Sequence, residues 1–221
     1  MNNFIEIPAT KSSTGHRKPI FGLGINDAWY MTQSKNASNG VRICPYYKVW
    51  KSMMARSYSS KTQLRQPTYK GCSVAKEWLT FSVFRAWMEK QDWKGLDLDK
   101  DILIVGNKEY SPKACIFINR KINKLLNENL ARRGDLPQGV SFNREKGKYQ
   151  SCCSIRGKNR RLGFFASIPD AEIAYLEFKS NLIENIAIGE PDNVKAGLLR
   201  HAKVMTDRIK DIQNINHTPL A

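Results

Sequence analysis

Histidine is scarce in this chain of 221 residues, with only three: His16, His201 and His217. Acidic residues are also few. Twenty Asp and Glu face 36 Lys and Arg, which leaves a net charge of +16 and a pI near 9.7. A globular enzyme of small metabolites rarely needs such an excess. It points instead to a polyanionic partner, either nucleic acid or an anionic membrane surface. No apolar run approaches the roughly 18 residues of a membrane-spanning helix. The opening "MNNFIEIPATKSS" lacks the basic-then-apolar order of a signal peptide, so a cytosolic setting is expected. The five cysteines (Cys44, Cys72, Cys115, Cys152, Cys153) are then expected as thiols or metal ligands rather than disulfides. No repeat or low-complexity tract stands out. The chain is 41% hydrophobic and 25% charged, enough for a soluble protein with one large or two small cores.

What is present falls into two halves. Residues 1–40 are rich in Ser, Gly, Asn and Lys, with "FGLGINDAWY" as their ordered part, and form an arm with some packed points. In "PYYKVWKSMMARSYS" the residues Tyr47, Trp50, Met54 and Tyr58 share a stripe at spacings of three and four, which predicts a helix. "SSKTQLRQPTYKG" follows as a loop. "KEWLTFSVFRAWMEKQ" predicts a second helix with Phe81, Phe84 and Met88 on one face and Trp87 beside it. These aromatics are expected to be core. "DILIV" suits a short strand, "GNKEY" a turn, and "CIFI" a second strand or the start of a helix. "NRKINKLLNENLARRG" predicts a helix that ends at Gly134.

After Pro137 the pattern changes. "GVSFNREKGKYQSCCSIRGKNRRLGFF" predicts three strands, with turns around Glu145–Gly147 and Gly157–Asn159. A helix follows. Ser167 is its N-cap, Pro169 and Asp170 lie in its first turn, and Ala171, Ala174, Tyr175, Phe178 and Leu182 form its apolar stripe. A last basic helix carries Val194, Leu198, Met205, Ile209 and Ile212 on one side. Between Asn143 and Arg161 there are seven basic residues and one acidic, Glu145. Strand alternation puts Tyr149, Cys153 and Ile155 on one face, and Lys148, Gln150, Cys152, Ser154 and Arg156 on the other. The second face suits nucleic acid: cations meet phosphates, and Gln or Arg reaches base edges. The plainer alternative is a solvated sheet face.

This segment resembles the AP2 DNA-binding domain found in plant transcription factors and appended to phage homing endonucleases. The resemblance covers about 50 residues. It rests on "GVSF" (Gly139–Phe142), "GKY" (Gly147–Tyr149), "LGFF" (Leu162–Phe165), and Ala171, Ala174 and Tyr175 in the helix. Tyr149 stands where the family usually has Trp. The resemblance implies that the sheet enters the DNA major groove, with Tyr149, Gln150, Arg156 and Arg161 making contacts. Lys148, Lys158 and Arg160 complete the candidate DNA-binding set.

The first half is similar to phage HNH-like nucleases. "LDKDIL…GNKEYSPKACIF" matches their order of an acidic strand, a turn, Ser-Pro and then a cysteine, and the similarity extends from about Cys44 to Asn123. It implies a ββα-metal unit with Asp99 as the metal-binding carboxylate and Asp101 nearby. Asn119 or Asn123 is the second ligand, and a divalent cation such as Mg²⁺ is the cofactor. Lys100 stands where the family's general-base histidine belongs, so Asp99, Lys100 and Asp101 are the candidate catalytic residues. A lysine with a reference pKa of about 10.4 is a poor base at pH 7. Solvent water or Asp101 would replace it at a cost of about 10²–10⁴ in rate. The alternative is a hairpin kept for structure, with Asp99 and Asp101 capping or pairing with lysines. Cys44, Cys72 and Cys115 offer three thiolates for zinc, but Ala75 takes the place of a fourth, so buried thiols are the simpler expectation.

The expected fold is α+β, with four segments. Residues 1–40 are an arm, 41–134 an HNH-like unit, 137–190 a three-stranded AP2-like sheet with its helix, and 191–221 a basic terminal helix. The expected function is a phage DNA-binding protein in the bacterial cytoplasm. It is either a metal-dependent DNA endonuclease of the homing type or a non-enzymatic, regulatory binder of double-stranded DNA. RNA binding, protein inhibition and a membrane-surface role are weaker rivals. The oligomeric state is not legible.

Overall fold

The computed structural model describes residues 4–36, 40–126, 135–155 and 157–217. Gly134 and Arg156 therefore lie outside the described residues. The architecture is α+β. No helix among the described residues is long and apolar enough to cross a membrane. The chain divides into two compact units. One comprises Met1–Asp101 with Gly106–Ile118, and the other Ile102–Val105 with Asn119–Ala221. The arm thus belongs to the first unit and the terminal helix to the second.

The first unit contains α1 (Lys11–Gly15), the antiparallel pair β1 (Gln33–Asn36) and β2 (Gly40–Ile43), α2 (Pro45–Tyr58), α3 (Ser60–Arg65) and α4 (Phe81–Met88). Between and after these lie β3 (Ser73–Val74), β4 (Asp97–Asp99), β5 (Glu109–Tyr110) and β6 (Ile116–Ile118). Pro45 presets the first turn of α2. The stripe of Tyr47, Trp50 and Met54 is buried, and so are Phe81, Phe84 and Met88 of α4. The Trp50 indole N–H donates to the Trp78 carbonyl at 2.7 Å, so a buried donor is satisfied. Tyr30, in the predicted arm, is buried in this same core. The irregular backbone around it is held by the Arg17 guanidinium, which donates to the carbonyls of Asn26, Ala28 and Tyr30. That substitutes for strand partners.

The structure corrects two sequence expectations here. "SSKTQLR" contains α3, capped by Ser59, whose hydroxyl accepts from Thr62 N–H at 3.3 Å. The strand expected over "DILIV" is absent. The strand forms earlier, at β4, and pairs antiparallel with β6, placing Asp99 opposite Ile116. It ends because the Asp99 carboxylate accepts the Asp101 N–H at 3.0 Å, a side-chain turn that competes with the ladder. Ile102 is instead buried within the second unit. A Cβ on Gly197 would come within 2.6 Å of its carbonyl oxygen.

The second unit holds α5 (Arg120–Leu126) and the antiparallel sheet β7 (Val140–Asn143), β8 (Lys148–Ile155) and β9 (Lys158–Phe165), in that order. Then come α6 (Ile168–Ala187) and α7 (Asp192–His217). Ser167 caps α6 by accepting the Asp170 N–H at 3.2 Å, and its hydroxyl donates to the Asp170 carboxylate at 2.7 Å. α6 packs on the sheet and α7 packs along α6. Buried Val194, Leu198, Ile209 and Ile212 of α7 match the predicted stripe. Arg208 pairs with Glu172 across the two helices at 3.2 Å.

Gly139 opens β7 with φ +77°, and a Cβ there would run into the Tyr175 ring and come within 2.6 Å of the Cys152 carbonyl oxygen. Both the left-handed backbone and the close helix–sheet approach therefore require glycine. Gly139→Ala is expected to destabilise the protein by about 2–4 kcal/mol. Urea denaturation checks this, and an unchanged midpoint would dismiss the packing role.

Candidate nucleic-acid interface and the acidic strand

Directly opposed residues of an antiparallel pair share a face, so the register sorts this sheet. Val140 and Ser151 are opposed and buried, on the face that α6 covers. Phe142 and Tyr149 are opposed on the same face, with rings edge to face at 5.2 Å. The outer face carries Ser141 opposite Gln150, Gln150 opposite Phe164, and Asn143 opposite Lys148. Tyr149 and Gln150 therefore lie on opposite sides, as alternation predicts.

Along β8 and β9 the pairing steps from Ser151–Gly163 directly to Cys152–Arg161, leaving Leu162 as an extra residue. This bulge reverses the facing of everything beyond it. Arg161 joins Cys152 on the outer face. Arg160, opposite the buried Cys153, goes to the helix side, where its guanidinium sits 5.0 Å from the Phe178 ring centre. Uninterrupted alternation would place these two arginines the other way round. Lys158, opposite Ile155, shares the parity of Arg160 and is exposed at the end of the sheet. Of the predicted set, the outer face brings together Lys148, Gln150 and Arg161. It does not include Tyr149, Arg160 or Lys158.

Two residues of this face were not in the predicted set. The Lys146 ammonium stands 4.3 Å from the Phe164 ring centre, and the Arg161 guanidinium 5.2 Å from it. Lys146 is presented by a turn in which its N–H donates to the Asn143 side chain at 2.9 Å. The available signal was the doubled aromatic in "LGFF", which obliges one ring to face outward. Gln150 donates its amide N–H to the Cys152 sulfur at 2.9 Å.

In the first unit, Asp99 and Lys100 are both almost fully buried, at 7% and 6% exposure. The Lys100 ammonium donates to the Asp101 carboxylate at 3.0 Å and to the Asn107 carbonyl at 2.8 Å, and it lies 5.9 Å from the Tyr110 ring centre. In return the Asn107 amide donates to the carbonyls of Lys100 and Glu109, both at 2.7 Å. This closed clamp meets the desolvation cost of a buried cation with a carboxylate and a carbonyl. Lys100 is engaged as a donor in it. Asn107, read from sequence only as part of a turn, is its other half.

Asn119 accepts the Lys121 N–H at 2.9 Å and so caps α5, while Asn123 N–H bonds to the Asn119 carbonyl at 3.0 Å inside that helix. Asp99 and Asn119 each serve a backbone N–H, and no group of three or more His, Cys, Asp or Glu gathers at one point among the described residues. Cys44, Cys72 and Cys115 are buried. The Cys44 sulfur lies 3.3 Å from the Tyr30 hydroxyl. Burial pushes the Cys72 thiol up, partly countered by Lys100, and pushes Cys115 up to about 12.

The Cys115 shift has a consequence for stability. Its folded pKa exceeds the ordinary value of 9.0, so the folded state keeps its proton where the unfolded chain loses it. The Cys115 contribution to stability is whole below about pH 9 and declines toward pH 12. Cys115→Ala should therefore flatten the alkaline loss of stability in chemical denaturation between about pH 9 and pH 11, by about 1–2 kcal/mol. An unchanged pH slope would refute the assignment. No protein-family model matches this chain, and neither a curated protein nor a solved structure does.

Proposed function

We propose that this chain is a DNA-binding protein of the phage HNH-like endonuclease type, which grips duplex DNA with the outer face of the β7–β9 sheet. One observation carries the reading: Lys146, Lys148, Gln150 and Arg161 collect on the face that α6 leaves uncovered. The cations, Arg161 among them, meet the phosphates, and the Gln150 amide reaches base edges. The net charge of +16 adds long-range attraction to any polyanion.

For the first unit, two readings differ in what they do with Asp99. The first is metal-assisted hydrolysis of a DNA phosphodiester. It is supported by the antiparallel pair of β4 and β6, whose first strand bears Asp99. The second is a non-enzymatic scaffold that presents the DNA-binding unit. It is favoured by Lys100, which fills the place of the base and is locked by Asp101 and Asn107.

Binding is checked by fluorescence anisotropy on a short duplex across a salt series. The logarithm of affinity should fall with the logarithm of salt, and Lys148→Ala should reduce that slope by about 0.9. Preference for RNA in competition would overturn the duplex-DNA assignment. Catalysis is checked by plasmid nicking with Mg²⁺ or Mn²⁺. Activity abolished by Asp99→Ala establishes the first reading. Activity that arises only in Lys100→His, or none with any metal, establishes the second.

A further inference from the structure

We propose that Phe164 is the positioning residue of the outer face, holding Lys146 and Arg161 in place for adjacent phosphates of the duplex. This rests on the DNA-binding reading above and adds the means by which that face is made ready. Lys146 arrives from the β7–β8 turn and Arg161 from β9, beyond the bulge at Leu162. Both cations come to the same ring, at 4.3 Å and 5.2 Å from its centre. Phe164 is half-buried, and its strand partner Gln150 fixes it to the outer side. An aromatic ring attracts a cation through its quadrupole, most strongly where water is partly excluded.

Long basic side chains lose rotamer freedom when they dock on a phosphate, and that loss subtracts from affinity. A ring that holds them beforehand reduces the loss without adding a charge. Phe164 itself contacts no phosphate in this proposal. Its effect is on the intrinsic affinity and not on the number of counterions released. That separates it from the cations it orients, each of which contributes to the salt slope.

The test compares the full chain with Phe164→Leu, Phe164→Tyr and Lys146→Ala, by anisotropy on one duplex over a salt series. Thermal unfolding of each variant runs alongside. Phe164→Leu should bind about tenfold more weakly, with the wild-type salt slope and an unchanged melting temperature. Phe164→Tyr should restore binding, since its ring is retained. Lys146→Ala should lower the slope by about 0.9. In the free protein, the Lys146 and Arg161 side-chain protons should show ring-current NMR shifts that Phe164→Leu abolishes. Wild-type affinity in Phe164→Leu, or a slope reduced as in Lys146→Ala, overturns the positioning role alone. If the wild-type chain binds no duplex, the DNA-binding reading falls and the positioning role with it. A lowered melting temperature that accounts for the lost binding reduces Phe164 to a packing residue and overturns the proposal.

Discussion

A three-stranded sheet has two faces and, in this unit, one long helix laid against it. α6 dehydrates one side through Ala171, Tyr175 and Ile183, and the close approach of Tyr175 at Gly139 fixes how near it lies. The other side must satisfy water or a ligand. Polar and cationic residues therefore occupy it, and the same constraint that builds the core defines the exposed charged surface. α7 extends the arrangement by covering part of α6, with apolar residues inward and Lys195, Arg200, Lys203 and Lys210 outward.

The first unit solves a different problem. It buries a lysine beside two aspartates, and such a cation is tolerable only when every proton has a destination. Asp101, the Asn107 carbonyl and the Tyr110 ring supply them. The acidic strand is consequently tied to the turn that follows it. A histidine in place of Lys100 would carry fewer protons and a shorter reach, so the Asn107 turn and the character of this position are linked. The aromatic interior of α2 and α4 runs on into Leu98, Tyr110 and Phe117, so the acidic strand and the ring beside Lys100 rest on the same core.

Much of the second unit was legible because its signals are periodic and local. Ser167 with Asp170 marks the start of α6, the α7 stripe repeats at helical spacing, and glycine marks both hairpin turns. The N-terminal 40 residues were less legible. Their order comes from Arg17 bonding to three carbonyls and from Tyr30 entering a distant core, neither of which has a period. The strand over "DILIV" failed because hydrophobicity alone cannot distinguish a ladder from a run that a carboxylate has already turned. For the candidate site, the identities of the basic residues were plain, but their facing was not. Alternation held for Tyr149 and Gln150 and broke at Leu162, where one unpaired residue changes the count.

That unpaired residue gives β9 an unusual kind of variability. The surface chemistry of a regular strand changes one substitution at a time. Here the insertion or loss of a single residue near Leu162 would exchange Arg160 and Arg161 between the covered and uncovered sides, with every side chain between the bulge and the β8–β9 turn following. Two related chains could then share nearly every letter and display different surfaces. Comparison by residue identity would score them as alike, and comparison by facing would not.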